Sequence, residues 1–247
     1  MFSARMKGRL TGLALAGALL AMPAAAMAGV VVKSTGPSSG QYPVGTQVED
    51  GSSITLREGD KITVLTSDGT RVMQGPGTFQ VGEGATRTRA RFSDLTRRRA
   101  ARRVRTGAVR GESGLPIRSP NLWYVNVGAQ GTVCLADLAA VRLWRPSSEG
   151  EQTFEITQTS TRNSTEITFT ETEAVRALDT RNFAIEAGAS YTISEAGSSE
   201  SANTVTFVAL EGEFAQEEQL AQALIGAGCT DQLALLADTL EETAESR

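Results

Sequence analysis

From Val30 to Val81 the chain is written in short β-branched runs cut apart by turn residues, a pattern that points to antiparallel strands before anything else. Val30-Val31-Val32 is followed by a Gly-Pro-Ser-Ser-Gly break, then by Ile54-Thr55-Leu56, Lys61 to Thr66 and Arg71-Val72-Met73. Ser67-Asp68-Gly69-Thr70 is a hairpin signal, because Asp-Gly readily takes the positive φ values that a two-residue turn demands. Alternation along Lys61 to Thr66 puts Ile62 and Val64 on one face. Gly75-Pro76-Gly77 then ends the next strand, since proline lacks a ladder donor. A small antiparallel β domain over residues 30–83 is expected.

Strand signals resume after Asn121, near Leu122–Val127, Thr132–Leu135, Val141–Trp144, Thr153–Thr157, Glu166–Thr170, Phe183–Ile185, Tyr191–Ser194 and Thr204–Leu210. About eight short strands with regular turn signals read as a β-sandwich-like domain over residues 120–212. Val205 with Phe207, Phe154 with Ile156, and Ile167 with Phe169 fall on core faces, and Trp123, Trp144, Tyr124 and Tyr191 read as core or half-buried. From Glu213 the apolar spacing changes to that of helices. Leu220, Leu224 and Ile225 form one stripe, Gly226-Ala227-Gly228 stops it, and Leu233, Leu236 and Leu240 form a second. The fold class is therefore mainly β: a small antiparallel β domain, a β-sandwich-like domain, and two short helices over residues 213–247 packed on the second domain.

The first twenty-eight residues read as a signal peptide. Arg5, Lys7 and Arg9 precede an apolar run from Leu10 to Met22, and Ala26-Met27-Ala28 is a small-x-small site that places cleavage between Ala28 and Gly29. The apolar run is shorter than the roughly 20 residues a membrane span needs. A periplasmic or secreted location follows, with no integral span in the mature chain. In that setting the two cysteines, Cys134 and Cys229, read first as a disulfide, with two free thiols as the alternative.

Composition narrows the chemistry. Histidine is absent, which excludes serine-histidine triads, cysteine-histidine dyads and histidine metal sites. The lysines after residue 28 are only Lys33 and Lys61, with no S-x-x-K spacing around either, and no phosphate loop or dinucleotide fingerprint occurs. Catalytic, cofactor-binding and metal residues are accordingly assigned to none. Asp137, Glu171, Glu173 and Asp179 fall in turns or loops, where acids are usually solvated; a carboxylate-dependent envelope hydrolase would have to use such residues.

Charge is segregated along the chain. Residues 85–118 hold eleven arginines against Asp94 and Glu112, while the part after Glu149 is acidic. Residues 84–119 read as an arginine-rich linker, exposed or partly disordered, with Ser93 as the cap of a short helix running toward Val104. Arg97, Arg98, Arg99, Arg102 and Arg103 are the candidate contact for an anionic partner, either an envelope protein or another anionic envelope component. Nucleic acid is not expected, because Phe92 is the one aromatic residue there to stack on bases.

The stretch YPVGTQVEDGSSITLREGDKITVLTSDGTRVMQGPGTF, from Tyr42 to Phe79, resembles FecR-type periplasmic β domains, in which a glycine-marked segment precedes two strands and a D-G-S or D-G-T hairpin. The chain is also similar to a group of uncharacterised secreted bacterial proteins that pair this segment with GTVCLAD and VRLWRP stretches and a C-terminal LIGAGCTDQLALL. The first resemblance implies an accessory, sensor-like component of a transmembrane signalling system, although the chain departs from FecR-type regulators in lacking their cytoplasmic N-terminal domain and definite spanning helix. The residues themselves point to a noncatalytic envelope protein acting as an interaction or assembly component.

Overall fold

The computed structural model describes residues 27–97, 118–198 and 202–246, and the chain is mainly β with three short helices, two of them C-terminal. The first unit holds β1 (Met27–Thr35), β2 (Gln47–Glu49), β3 (Ser53–Leu56), β4 (Lys61–Thr66), β5 (Gly69–Gln74) and β6 (Gly77–Gln80). An antiparallel sheet runs β2-β1-β4-β5, and a two-stranded sheet pairs β3 with β6. Val31, Ile62, Val64 and Met73 of the larger sheet pack against Ile54, Leu56 and Val81, so the face read from the alternation is a core face. The expected cleavage point lies within β1, where Gly29 pairs with Val48 and Thr66.

The β4–β5 hairpin forms where Asp-Gly announces it, but the turn differs from the expected one. Thr66 pairs with Gly69, so Ser67 and Asp68 make the loop and Gly69 heads β5 at φ 138°. Thr86 comes so close that a Cβ on Gly69 would sit 2.2 Å from its carbonyl oxygen, which explains the glycine independently of the turn. Gly75 has the same kind of reason, because a Cβ there would lie 1.9 Å from the Arg57 carbonyl oxygen.

The second unit holds β7 (Tyr124–Asn126), β8 (Gly131–Leu135), β9 (Arg142–Trp144), β10 (Gln152–Gln158), β11 (Ser164–Phe169), β12 (Val175–Ala177), β13 (Ser190–Glu195) and β14 (Asn203–Ala209). One sheet runs β11-β10-β13-β14-β8 and the other β12-β9-β7; β8 is parallel to β14 and β7 to β9. Val125 and Leu143 of the smaller sheet share a core with Ile156, Phe169, Tyr191, Ile193 and Phe207 of the larger, which gives the sandwich-like layering. Phe183–Ile185 is not a strand. Phe183 and Ile185 are buried from a loop, because apolar spacing marks burial and not ladder pairing. The strand at Val175–Ala177 has too few apolar residues to be read from sequence.

The helices are α1 (Arg89–Thr96), α2 (Glu217–Ala227) and α3 (Thr230–Glu245). Gly228 ends α2 in a left-handed conformation at φ 74°. The apolar stripes of α2 and α3 are expected to pack on the second unit, and they cover part of the first as well. Leu220, Leu224, Leu236 and Leu240 share one core with Val30, Val32 and Leu65 of the first sheet and with Leu122, Trp123 and Cys134 of the second unit. The cause is that β1 and β4 carry apolar residues on both faces, so Val30, Val32 and Leu65 on the outward side also need cover.

Part of the arginine-rich segment is also core, contrary to the linker reading. Phe92 and Leu95, three residues apart on α1, are 3% and 5% exposed within the same helical cluster. Ser93 is not a cap. Its hydroxyl donates back to the Arg89 carbonyl oxygen at 2.9 Å inside the helix, and the helix ends at Thr96. Among the described residues no helix is long and apolar enough to cross a membrane.

Candidate functional site

Ion pairs, the disulfide and buried side-chain hydrogen bonds concentrate where α3 meets both units. Lys33 on β1 and Lys61 on β4 stand on adjacent strands, and Asp238, Glu241 and Glu245 recur along one side of α3 at helical spacing. Lys33 Nζ lies 2.8 Å from Asp238 and 3.0 Å from Glu241; Lys61 pairs with Glu241 and, at 2.8 Å, with Glu245. Thr63, between them, donates to Glu241 at 3.3 Å. Glu241 is only 3% exposed. Burial alone would raise its pKa, but hydrogen bonds from Lys61 and Lys33 outweigh that and hold the carboxyl below its ordinary range. Burial alone would likewise lower both lysines, yet their carboxylate partners hold them above the usual value. The chemistry is an ionic clamp of two ammonium groups and three carboxylates joining α3 to the first sheet. Both lysines stand out in the sequence, but nothing there marks their shared partner.

A second tie joins α3 to the other unit. Cys134 and Cys229 form the expected disulfide, with Cα atoms 5.9 Å apart across 95 residues of sequence. Beside it Gln232, one turn beyond Cys229, is nearly buried. Its Oε1 accepts from the Cys134 amide at 2.6 Å, and its Nε2 donates to the carbonyl oxygens of Cys134 at 2.7 Å and Leu122 at 2.8 Å. The i, i+3 spacing from a cysteine was the available clue to that glutamine.

The described ends of the arginine-rich segment meet here too. The carbonyl oxygens of Leu95, Thr96 and Arg97 accept, respectively, from the Leu122 amide at 3.0 Å, the Trp123 indole at 2.8 Å and the Asn121 side chain at 3.1 Å. Arg118 pairs with Asp238 at 3.4 Å and with Glu242. Of the candidate contact residues, Arg97 is exposed and pairs with Asp94 at 3.0 Å. Arg98, Arg99, Arg102 and Arg103 lie outside the described residues.

The loop carboxylates are engaged in turns. Glu173 accepts from the Thr170 hydroxyl and amide and from Arg176, which keeps it below the ordinary carboxylate range. Asp179 is lowered in the same way by Asn182 and Arg181. Asp137 caps the Ala139 amide at 2.8 Å. Arg145, 1% exposed, donates to the carbonyl oxygens of Glu173, Gly150 and Thr170 and to Gln152, and stacks 5.3 Å from the Phe169 ring centroid. It knits together the loops around β10 and β12. One buried acid is perturbed upward. Glu217, at the start of α2, borders a cavity of about 320 Å³ between α1, α2 and the β4–β5 hairpin. Burial raises it, opposed by the Thr88 hydroxyl at 2.8 Å, which is itself bonded to Thr70.

Among the described residues no group of acids and cysteines is arranged to hold a metal ion. Fold and junction together define a mainly β chain with a disulfide and an ionic clamp fastening one helix to both of its units. Comparison with protein-family models, curated proteins and solved structures finds no match to the chain.

Proposed function

We propose that this is a noncatalytic periplasmic or secreted protein that serves as an interaction or assembly component of the cell envelope, presenting its arginine-rich segment to an anionic partner. The observation that carries this reading is the fastening of the backbone at Leu95–Arg97 directly to residues 121–123, beside the disulfide and Gln232. With its near end tied by hydrogen bonds to the residues just past its far end, the basic stretch is read as a contact element for a partner in preference to a spacer between units. Eleven arginines against two acids over residues 85–118 supply the field that draws an anionic surface.

Replacing Arg97, Arg98, Arg99, Arg102 and Arg103 together with glutamine tests the reading. Retention on envelope fractions and its sensitivity to salt should both fall, because exposed charges act through a screened field. Unchanged retention at every ionic strength removes the proposal. Capture from envelope extracts separates the classes: structural envelope components support assembly, whereas an inner-membrane receptor would make the chain a signalling accessory. Turnover of a glycan or peptide substrate that is lost on neutralising Glu171 or Glu173 would replace the noncatalytic reading with a hydrolase.

A further inference from the structure

We propose that the open edge of β8, beside α3, is a docking site for an extended peptide that carries a basic side chain. β8 is the last strand of the five-stranded sheet and β7 the last strand of the smaller one, so among the described residues neither edge is paired with a further strand, and residues of both line a groove with α3. In a parallel ladder alternate residues turn their backbone groups away from the partner strand. On β8 the orientation is recorded directly. Leu135 points its carbonyl toward the β14 side, where it accepts from the Leu210 amide at 2.9 Å, and Cys134 points both backbone groups outward to Gln232. Thr132, two residues earlier, shares the outward orientation, and among the described residues nothing bonds to its outward amide or carbonyl.

Gln232 shows what belongs in that gap. Its side-chain amide is chemically a peptide unit, and it accepts from and donates to Cys134 while reaching Leu122 across the gap, as the backbone of an intervening strand would. Beyond Gln232 the gap continues as a groove of about 280 Å³ with Tyr124, Val133, Trp144 and Leu235 in its walls and Thr132 on its edge. Gly131, Thr132 and Val133 carry none of the charges or prolines that usually protect an exposed edge. An added strand would bond to Thr132 and set an alternate side chain into the apolar pocket.

Charge selects the occupant. Residues 211–246 hold nine acids and no base. On the groove rim Asp238 is neutralised by Lys33 and Arg118, and Arg118 in turn is held by Asp238 and Glu242. Asp231 is exposed, in the first turn of α3, and its carboxylate has no ion-pair partner among the described residues. The unbalanced charge on the rim is therefore negative. The inference rests on reading the chain as an interaction protein and adds a surface separate from the arginines, so groove binding and envelope retention can fail independently.

The test titrates the whole chain with the capped peptide Thr-Val-Arg-Val-Thr, following the tryptophan fluorescence, to which Trp144 in the groove wall contributes, and the exchange of the Thr132 amide. Saturable binding and slowed exchange at Thr132 are expected. Asp231→Asn should weaken binding about fivefold and remove most of its salt dependence. Ala234→Arg, an exposed change on the groove wall that leaves the core untouched, should weaken it about tenfold or more. The same peptide with glutamate for arginine should not bind. Absence of saturable binding, or equal affinity in both variants, overturns the proposal. So does a Thr132 amide already protected in the free monomer, which would mean that the chain covers its own edge. A dimer that Ala234→Arg dissociates would assign the edge to a second copy.

Discussion

Glu241→Gln keeps the shape of the side chain at the centre of the ionic clamp and removes its charge. Breaking a buried pair by deleting one partner costs about 3–5 kcal/mol when the stranded charge stays buried. Here the stranded ammonium groups are 37% and 29% exposed, and Lys33 keeps Asp238 while Lys61 keeps Glu245. Solvent screening and the second partners bring the expected loss to about 2 kcal/mol. Because the Glu241 pKa is depressed on folding, its stabilisation is complete above the ordinary value of 4.5 and is lost as pH falls through the native value. The lysines shift the other way, so their share is complete below 10.5 and is lost as pH rises through their raised native values. Urea unfolding with the disulfide intact should therefore show a gap between wild type and variant that is widest near neutral pH and narrows toward either extreme. A gap under about 0.5 kcal/mol at neutral pH, or one that persists undiminished in acid, would refute the clamp.

Other perturbations report on the remaining ties. Replacing Cys134 and Cys229 together with alanine opens a closed loop of 95 residues and should cost about 4 kcal/mol in urea unfolding; a loss under about 1 kcal/mol would show that Gln232 and the core hold α3 without the bridge. Arg145→Lys retains the charge but offers three donors where five acceptors wait, the Glu149 carbonyl oxygen at 3.5 Å included, so destabilisation of about 2–3 kcal/mol is expected, and a neutral result would reject the loop-knitting role. Glu217→Gln should stabilise the fold near neutral pH. Its native pKa is raised, so ionisation opposes folding as pH climbs through that value, while glutamine can still accept the Thr88 hydroxyl. A variant less stable than wild type at neutral pH would contradict this.

Local signals carried the strands and the punctuation. Ile62 and Val64 are core because alternation is a property of the strand itself, and Gly226-Ala227-Gly228 stops α2 because a left-handed residue needs glycine. Trp123 and Trp144 are buried as their apolar neighbours imply. Phe92 and Leu95 were hidden in plain view: two apolar residues at helical spacing, masked by surrounding arginines that point elsewhere. The Asp-Gly hairpin was legible, yet the reason for Gly69 lies in a carbonyl seventeen residues away, at Thr86.

The sequence by itself determined the mainly β class, the positions of most strands and both C-terminal helices, and the one possible intramolecular cysteine pair, because each of these depends on neighbouring residues or on there being no other choice. Only the tertiary structure decided that α3 lies across both units, that Lys33 and Lys61 converge on Glu241, and that Gln232 stands in for a strand at the edge of β8. The physical reason is that a charge or an amide on the surface of an isolated element carries no record of its partner. That partner is chosen when Val30, Val32 and Leu65 on the outer faces of β1 and β4 draw the helices over them, and residues some two hundred positions apart come within hydrogen-bonding distance.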